Sequence, residues 1–294
     1  MTPAHPDDPH RSEAGLPGDR EADAPRAGAA AEGDGDGVAH DGARPAPGFG
    51  SRRADLWVQI VLVLGVSLGA SALWSILNLA EVMSTLSIAE SQATMNQSMS
   101  ALPVFDVLRQ VLSIVLALVP VLLALYFLAG SAGSLRAVCR QIGLDLKAPI
   151  PDVALGALLF LVMGLGTLAL YQAGRALGLT AELTTNAGGT EWWNVVLLIA
   201  QALRHSLVEE IIVVAFLADR LLRVRWSWPA IIVGTALLRG SYHLYQGIGP
   251  ALGNVVMGVV FLWIYRRTGR VMPLIVAHFL LDATGFLAGA YFFG

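Results

Sequence analysis

Seven long apolar stretches alternate with shorter polar segments over most of the 294-residue chain. Each stretch is long enough, or nearly so, to cross a hydrocarbon core of about 30 Å as an α-helix, which needs roughly 20 apolar residues. We place the helices near residues 56–80, 107–130, 153–173, 192–222, 228–246, 251–265 and 273–292. The pattern predicts an all-α fold, a polytopic transmembrane bundle of about seven helices.

The first 50 residues have the opposite character. They contain ten acidic residues against four arginines, with abundant Gly, Ala and Pro and almost no large apolar side chain. Such a segment cannot bury enough apolar surface to offset the entropy of an ordered chain. We therefore expect a disordered acidic tail at residues 1–50 and a membrane bundle at 51–294. The overall content of 55% hydrophobic and 14% charged residues is typical of membrane proteins.

Lysine and arginine predict the orientation of the bundle, because cytoplasmic loops retain positive charge. Eleven basic residues fall in four segments that alternate with the helices and so share one side of the membrane. They are Arg52, Arg53, Arg136, Arg140, Lys147, Arg220, Arg223, Arg225, Arg266, Arg267 and Arg270. The opposite loops contain only Arg175, with Arg109 at a helix start. The N-terminus is therefore expected in the cytoplasm.

Two adjacent glutamates, Glu209 and Glu210, interrupt the apolar run at 192–222. A charge near the bilayer centre costs roughly 2.5 kcal/mol or more on insertion scales, so a carboxylate there usually has a function. The same run contains Arg204, one to two helical turns before the glutamates. This pair is the first candidate for chemistry in the chain.

Histidines in two other predicted helices could join the glutamates. His278 and Asp282 are four residues apart and therefore project from one face of the last helix. If the fourth and fifth helices form a hairpin that turns near residues 225–227, Glu210 and His243 both lie about 23 Å from the turn. His278 comes only five residues after Pro273, which leaves its depth open.

Three short segments resemble the motifs of the CPBP family of intramembrane proteases, which includes CAAX prenyl proteases and bacteriocin-processing (Abi-type) proteins. The family motifs are E-E-x-x-x-R, F-x-x-x-H and H-x-x-x-N/D. The corresponding segments here are Val208–Ile212, Tyr242–Gly247 and Pro273–Asp282. The resemblance covers about residues 190–290 and implies an intramembrane endopeptidase.

The resemblance implies a role for each matching residue. Glu209 matches the glutamate that activates the attacking water, with Glu210 beside it, and His243 matches the histidine that helps to hold that water. His278 and Asp282 match the pair proposed to stabilise the oxyanion. Peptide hydrolysis needs a base for water and donors for the developing negative charge, as these roles provide. An ionised aspartate cannot donate a hydrogen bond, so Asp282 must be protonated or must orient His278.

The sequence is compatible with two mechanisms, one without a cofactor and one with a zinc ion. Two histidines and a carboxylate can hold a zinc ion with one position left for water, and the set here would be Glu209, His243 and His278. The CPBP family includes proteins described as metalloproteases and others that resemble metal-independent glutamate proteases. We favour the metal-free mechanism.

Two positions depart from the family motifs. The arginine four residues after the second glutamate is Val214 here, and the phenylalanine four residues before His243 is Arg239. An unpaired buried arginine and an unpaired buried glutamate would each be costly. We therefore expect Arg239 to neutralise Glu210 from the neighbouring helix, with Arg204 as the rival partner.

Other polar and aromatic residues have simpler explanations. His205 matches no motif and is expected to be structural. Six aromatic residues at helix ends are expected to form an interfacial belt. They are Trp192, Trp193, Trp226, Trp228, Tyr242 and Tyr245.

The resulting prediction is a multi-pass protein of the cell membrane that cuts a peptide bond near the cytoplasmic side. Its partners would be the lipid bilayer and a membrane-embedded or lipid-modified peptide or protein substrate, and no nucleic acid is expected. Two alternatives use the same residues differently. One is a catalytically inactive scaffold or immunity protein, which the motif departure at Val214 favours. The other is a transporter or proton relay.

Overall fold

Most of residues 52–85, 87–185 and 191–292, which the computed structural model describes, are helical. The α-helices are α1 (Arg53–Gly65), α2 (Leu68–Thr85), α3 (Pro103–Ala117), α4 (Val119–Ala132), α5 (Leu135–Gln141), α6 (Pro149–Ala176), α7 (Trp192–Glu209), α8 (Leu217–Arg223), α9 (Trp228–Ser241), α10 (Ile248–Thr268) and α11 (Met272–Phe292). A π-helix at Glu210–Phe216 joins α7 to α8. Two short strands, β1 (Gln92–Met95) and β2 (Glu182–Thr185), pair in parallel. The predicted all-α class is confirmed, and the tail predicted at residues 1–50 lies outside the described residues.

Prolines begin several of these helices and glycines end others. Pro103, Pro149 and Pro229 lie in the first turns of α3, α6 and α9, where the missing N–H costs nothing. Gly133 and Gly269 follow α4 and α10 with φ of 83° and 65°, the left-handed conformation that closes a helix. The helix ends are therefore set by local chemistry that is visible in the sequence.

Length and composition allow four described helical segments to cross a membrane, namely Pro103–Gly130, Pro149–Ala176, Ile248–Thr268 and Met272–Gly289. A fifth span results if α1 and α2, which are bent by 55° at residues 66–67, are taken together. The predicted span at 192–222 is divided into α7, the π-helix and α8, and α9 has only 14 residues, about 21 Å of helix. The count of seven spans stays a prediction.

Basic segments meet on one end of the bundle, which we call the basic face: Arg53 with the connecting segments 133–148, 224–227 and 269–271. Arg53 donates a hydrogen bond to the Val224 carbonyl oxygen over 2.6 Å. Arg270 pairs with Asp145 at 2.9 Å and with Asp152 at 2.6 Å. Hydrogen bonding from Arg270 holds the pKa of the Asp145 carboxyl below its usual value. The basic segments that alternate with the predicted helices in the sequence therefore lie together on one surface of the bundle.

The opposite end of the bundle, which we call the sheet face, contains the segments 87–102, 177–185 and 242–247. The small sheet lies here, and Thr180 forms an antiparallel bridge with Gly247. Gly247 has φ of 101°, and a Cβ at this position would lie 2.9 Å from the Ala181 backbone nitrogen. Only glycine fits such an approach. Arg175 donates to the carbonyl oxygens of Ala89 and Thr180, which ties the two connections together.

The chain from Val208 to Ala218 lies at the centre of the bundle and is buried throughout. Helices α4, α9 and α10 pack against the π-helix within it. α10 approaches α9 closely because Gly258 lies against Ala236, where a Cβ would come within 2.9 Å of the Ala236 Cα. The two glutamates are thereby surrounded by protein, which removes them from direct contact with lipid.

Candidate active site

The two glutamates stand where the backbone changes its hydrogen-bonding pattern. α7 ends at Glu209 and the π-helix begins at Glu210. π-helices are rare and are frequent at functional sites. Glu209 is 6% exposed and Glu210 is fully buried. Since successive side chains on a helix point about 100° apart, the two carboxylates have different neighbours.

Glu210 is paired with a cation and a histidine from two other helices. Arg239 Nη2 on α9 donates to Glu210 Oε1 over 2.8 Å, and His278 Nδ1 on α11 lies 2.7 Å from the same oxygen. The guanidinium also packs over the ring of Phe261 at 5.3 Å. The contact expected between Arg239 and Glu210 is therefore present, and Val214 lies buried among apolar residues.

Glu209 has a different set of contacts. The Tyr242 hydroxyl donates to Glu209 Oε2 over 2.7 Å, and Arg239 Nη2 lies 3.2 Å from that oxygen. His243 Nε2 lies 3.8 Å from the other oxygen, Oε1. Neither ring nitrogen of His243 has a hydrogen-bond partner within the described part of the chain. One oxygen of Glu209 is thus held by donors, and the other faces an unpaired imidazole.

Asp282 links the cluster to a second histidine. Its Oδ2 lies 3.7 Å from His278 Nε2 and 3.2 Å from His205 Nδ1 on α7. Arg204 in turn contacts the ring of His205. A continuous row of polar side chains therefore runs from Glu210 through His278 and Asp282 to Arg204. His278 reaches this depth because it lies about 9 Å along α11, whereas Arg239 lies about 17 Å along α9, so the turn before α11 is the deeper one.

A cavity of about 1090 Å³ adjoins the cluster. Glu209, His243 and Asp282 line it, together with Arg204 and His205. The other members of the cluster, Glu210, Arg239 and His278, lie behind this wall and are not among the described lining residues. The volume is at the upper end of typical ligand pockets, which are roughly 300–1,000 Å³. A substrate would meet Glu209 and His243 and would leave the Glu210 pair buried.

The family assignment rests on residues 191–284, which match the family model described as "Rce1-like: Type II CAAX prenyl endopeptidase Rce1-like". This region is similar to that family, and we call it the Rce1-like domain. The assignment agrees with the predicted CPBP family, and it includes every candidate site residue. No curated protein and no solved structure matches the chain. The part of the cavity wall formed by α2 and by residues 94–99 lies outside the Rce1-like domain.

Two residues of the Rce1-like domain, Tyr242 and His205, have contacts that the sequence does not predict. The sequence predicts that Tyr242 belongs to an interfacial belt, but α9 ends at Ser241 and the chain then turns so that the Tyr242 hydroxyl reaches Glu209. His205 was expected to be structural, and it contacts Asp282 at the cavity wall. His205 lies four residues before Glu209, which places both side chains on one face of α7. This spacing is the sequence signal that could have indicated His205 as a residue of the site. Arg204, the rival partner considered for Glu210, contacts His205 instead. Arg239 is the arginine that pairs with Glu210.

Zinc does not fit these residues as they are arranged. Among residues 52–85, 87–185 and 191–292, no group of three His, Cys, Asp or Glu side chains converges in a way that could hold a metal ion. The sequence suggests Glu209, His243 and His278 as zinc ligands. His278, however, directs Nδ1 to Glu210 and Nε2 towards Asp282, so both of its ring nitrogens face other side chains. The guanidinium of Arg239 lies within 3.2 Å of both glutamates, where a divalent cation would be repelled.

Proposed function

We propose that this protein is an intramembrane endopeptidase in which Glu209 activates water without a metal ion. The Rce1-like domain supports a membrane endopeptidase in general. The finer proposal is carried by one observation: Glu209 and His243 line the same cavity, and the Arg239 charge lies directly behind Glu209. The substrate would be a membrane-associated peptide or protein.

The reaction begins when Glu209 takes a proton from a water molecule whose oxygen attacks the carbonyl carbon of the substrate. His243, 3.8 Å from Glu209 Oε1, contacts the same water and orients it. The tetrahedral intermediate then collapses, the C–N bond breaks, and the proton passes from Glu209 to the leaving nitrogen. General acid–base catalysis of this kind contributes about 10²–10⁴-fold to a rate.

The buried neighbours position the base in this proposal. Tyr242 and Arg239 both act on Glu209 Oε2, which leaves Oε1 as the acceptor that faces His243 and the water. Glu210 and His278 fix the Arg239 guanidinium in turn. Such support matters because small displacements of a catalytic group can cost a large part of its effect.

The oxyanion contact is assigned to Asp282. The resemblance gives this role to His278 and Asp282 together, but only Asp282 is among the cavity-lining residues. His278 would therefore act through Asp282, whose carboxyl can donate a hydrogen bond to the oxyanion only when it is protonated. An asparagine, which the family motif also allows, would supply an N–H donor at this position.

The metal-free mechanism is supported by the place of Arg239. Its Nη2 atom lies 2.8 Å from Glu210, 3.2 Å from Glu209 and 3.1 Å from His278. A positive charge is thus already present among the residues that a zinc ion would need. A retained activity in the presence of a strong chelator is the expected result, and a loss that added zinc restores would contradict the metal-free proposal.

The test of the function compares the peptide termini in membranes from cells that express the wild type or Glu209→Gln. We expect a set of new termini that depends on Glu209. Glu182→Gln is the matched control, because Glu182 is an exposed carboxylate on β2 that does not line the cavity. It should leave the termini unchanged.

If no terminus depends on Glu209 while the variant is present at the wild-type level, the protease proposal fails. The inactive scaffold would then gain if the cells still depend on the protein, and the proton relay would gain if Glu209→Gln changed the pH of loaded vesicles.

A further inference from the structure

The cavity opens away from every basic segment of the bundle. None of its described lining residues belongs to the basic face, which contains Arg53 and the segments 133–148, 224–227 and 269–271. The lining instead comes from α2, from residues 94–99 at and after the end of β1, from Ser113 on α3, from the second half of α7, from residues 242–246 after α9 and from the second half of α11. The elements that enclose it lead towards the sheet face.

The depth of Glu209 agrees with this direction. α7 begins at the sheet face with Trp192, and Glu209 lies 17 residues further along, about 26 Å into the bundle. Gln201 and Arg204 line the cavity between these two points, and the exposed side chains of Gln97 and Glu81 line its outer part. The cavity is therefore a passage from the sheet face to the glutamate at its inner end.

The orientation of the two faces follows from their charge. Eleven of the lysines and arginines of residues 51–294 lie in the basic face or within four residues of its segments. Only Arg175, in the last turn of α6, and Arg109, which donates to the Met99 carbonyl oxygen, lie near the sheet face. Cytoplasmic loops carry this excess of positive charge. The basic face is thus the cytoplasmic one, and the sheet face lies on the other side of the membrane.

The chemistry of the lining indicates what the cavity holds. Most lining side chains are polar, and Ser71, Asn78, Gln97, Ser98 and Gln201 are examples that carry hydroxyl or amide groups. Peptide groups that leave water need hydrogen-bond partners, and such a lining supplies them. Apolar side chains such as those of Trp74, Leu77 and Phe286 lie between them and can contact the side chains of a peptide.

We propose that this cavity takes up an extended polypeptide segment from the non-cytoplasmic side of the membrane. The inference rests on the proposed function, and it replaces our expectation of cleavage near the cytoplasmic side. It predicts that the substrate is a peptide exposed at the outer surface. A lipid-modified peptide in the cytoplasmic leaflet would meet the basic face, which the cavity does not reach.

Cysteine labelling of the full chain tests the direction of the cavity. The single native cysteine is replaced by Cys139→Ser, and Gln97→Cys or Lys147→Cys is introduced at the cavity mouth or on the exposed basic face. Spheroplasts are treated with a membrane-impermeant maleimide before and after permeabilisation. We expect Gln97→Cys to be labelled fully before permeabilisation and Lys147→Cys only after it.

The opposite pattern, or labelling of both positions only after permeabilisation, would overturn the proposal. Glu182→Cys on the exposed part of β2 reports the side of the sheet face independently, so a poorly folded Gln97→Cys does not leave the question open. The same pattern is expected in the Glu209→Gln background, because access does not depend on catalysis. A failure of the protease proposal would leave the labelling result unchanged.

The substrate class is tested separately with purified protein that carries the labelled Gln97→Cys. A bulky maleimide at this position should slow cleavage of a polar peptide and should leave binding of a fluorescent prenyl analogue unchanged. Competition between a prenyl analogue and the label would contradict the polypeptide assignment.

Discussion

Glu209 and Glu210 are adjacent in the chain and opposite in their surroundings. Glu210 has no exposure and is neutralised by Arg239, with His278 on the same oxygen. Glu209 borders the cavity and directs one oxygen towards His243, whose ring nitrogens have no hydrogen-bond partner within the described residues. One carboxylate is thus enclosed by contacts between helices, and the other is accessible from the cavity. A buried charge cluster can serve both purposes because adjacent helical positions face different directions.

The largest effect is expected from Glu209→Gln. The amide keeps the shape and the contact with Tyr242 but cannot take a proton, so the cleavage rate should fall by about 10²–10⁴-fold. The rate is measured on a substrate identified from the membrane termini. The unfolding temperature should change little. A large drop would show that Glu209, like Glu210, stabilises the fold, and the two glutamates would then not differ in this respect.

The corresponding change at the buried Glu210 pair is Arg239→Met. It leaves Glu210 buried without its cation, and breaking a buried pair in this way costs about 3–5 kcal/mol of folding stability. Denaturant unfolding in detergent measures the loss. The double variant Arg239→Met with Glu210→Gln should recover much of it, because no unpaired charge remains. A loss below about 1 kcal/mol, the value of an exposed pair, would contradict the proposed role.

Substitutions at Asp282 distinguish a donor from an acceptor. If Asp282 donates to the oxyanion, Asp282→Ala should slow cleavage by about 10²–10³-fold, whereas Asp282→Asn should retain activity. If Asp282 only accepts from His205 and His278, the asparagine should be nearly as slow as the alanine. Steady-state rates with the same substrate decide between these roles.

Tyr242→Phe tests the contact that holds Glu209 in place. Loss of a hydrogen bond to a charged group should cost about 1.5 kcal/mol or more in stability, and the cleavage rate should fall less than in Glu209→Gln. Tyr126→Phe is the control, since Tyr126 is 70% exposed on α4. Equal effects of the two changes on the unfolding temperature would show that the Tyr242 hydroxyl has no special partner.

The smallest effect is expected at the basic face, where Arg270 pairs with an accessible partner. Because Arg270 lowers the pKa of Asp145 from its ordinary 3.8, this pair stabilises the fold at pH values above 3.8 and the contribution disappears as the pH falls through the lowered value. Asp145→Asn should therefore lower the unfolding temperature slightly at pH 7, and this difference should shrink as the pH falls below 3.8. A constant difference across this range would mean that the pair acts through packing.

Several parts of the site were predictable because their signals are local or come from a motif. The i, i+4 spacing of His278 and Asp282, and the equal distance of Glu210 and His243 from a helical turn, follow from helix geometry alone. The contact between Arg239 and Glu210 was expected from energetics, since two unpaired buried charges in neighbouring helices are both costly. The number of spans was less accessible, because a helix buried in protein can carry polar residues and a short helix need not cross the bilayer.

Other features depend on contacts between residues far apart in the chain. Tyr242 meets Glu209 across 33 positions and His205 meets Asp282 across 77. No local spacing encodes these distances.

The sequence by itself determined the apolar helices, the side on which the positive charges lie and the residue types available for chemistry, because each is a property of composition or of short-range periodicity. The tertiary structure decided which glutamate faces the cavity, which arginine neutralises the other, and towards which face the cavity opens. These depend on how α2, α7, α9 and α11 pack around a π-helix whose register no local pattern predicts.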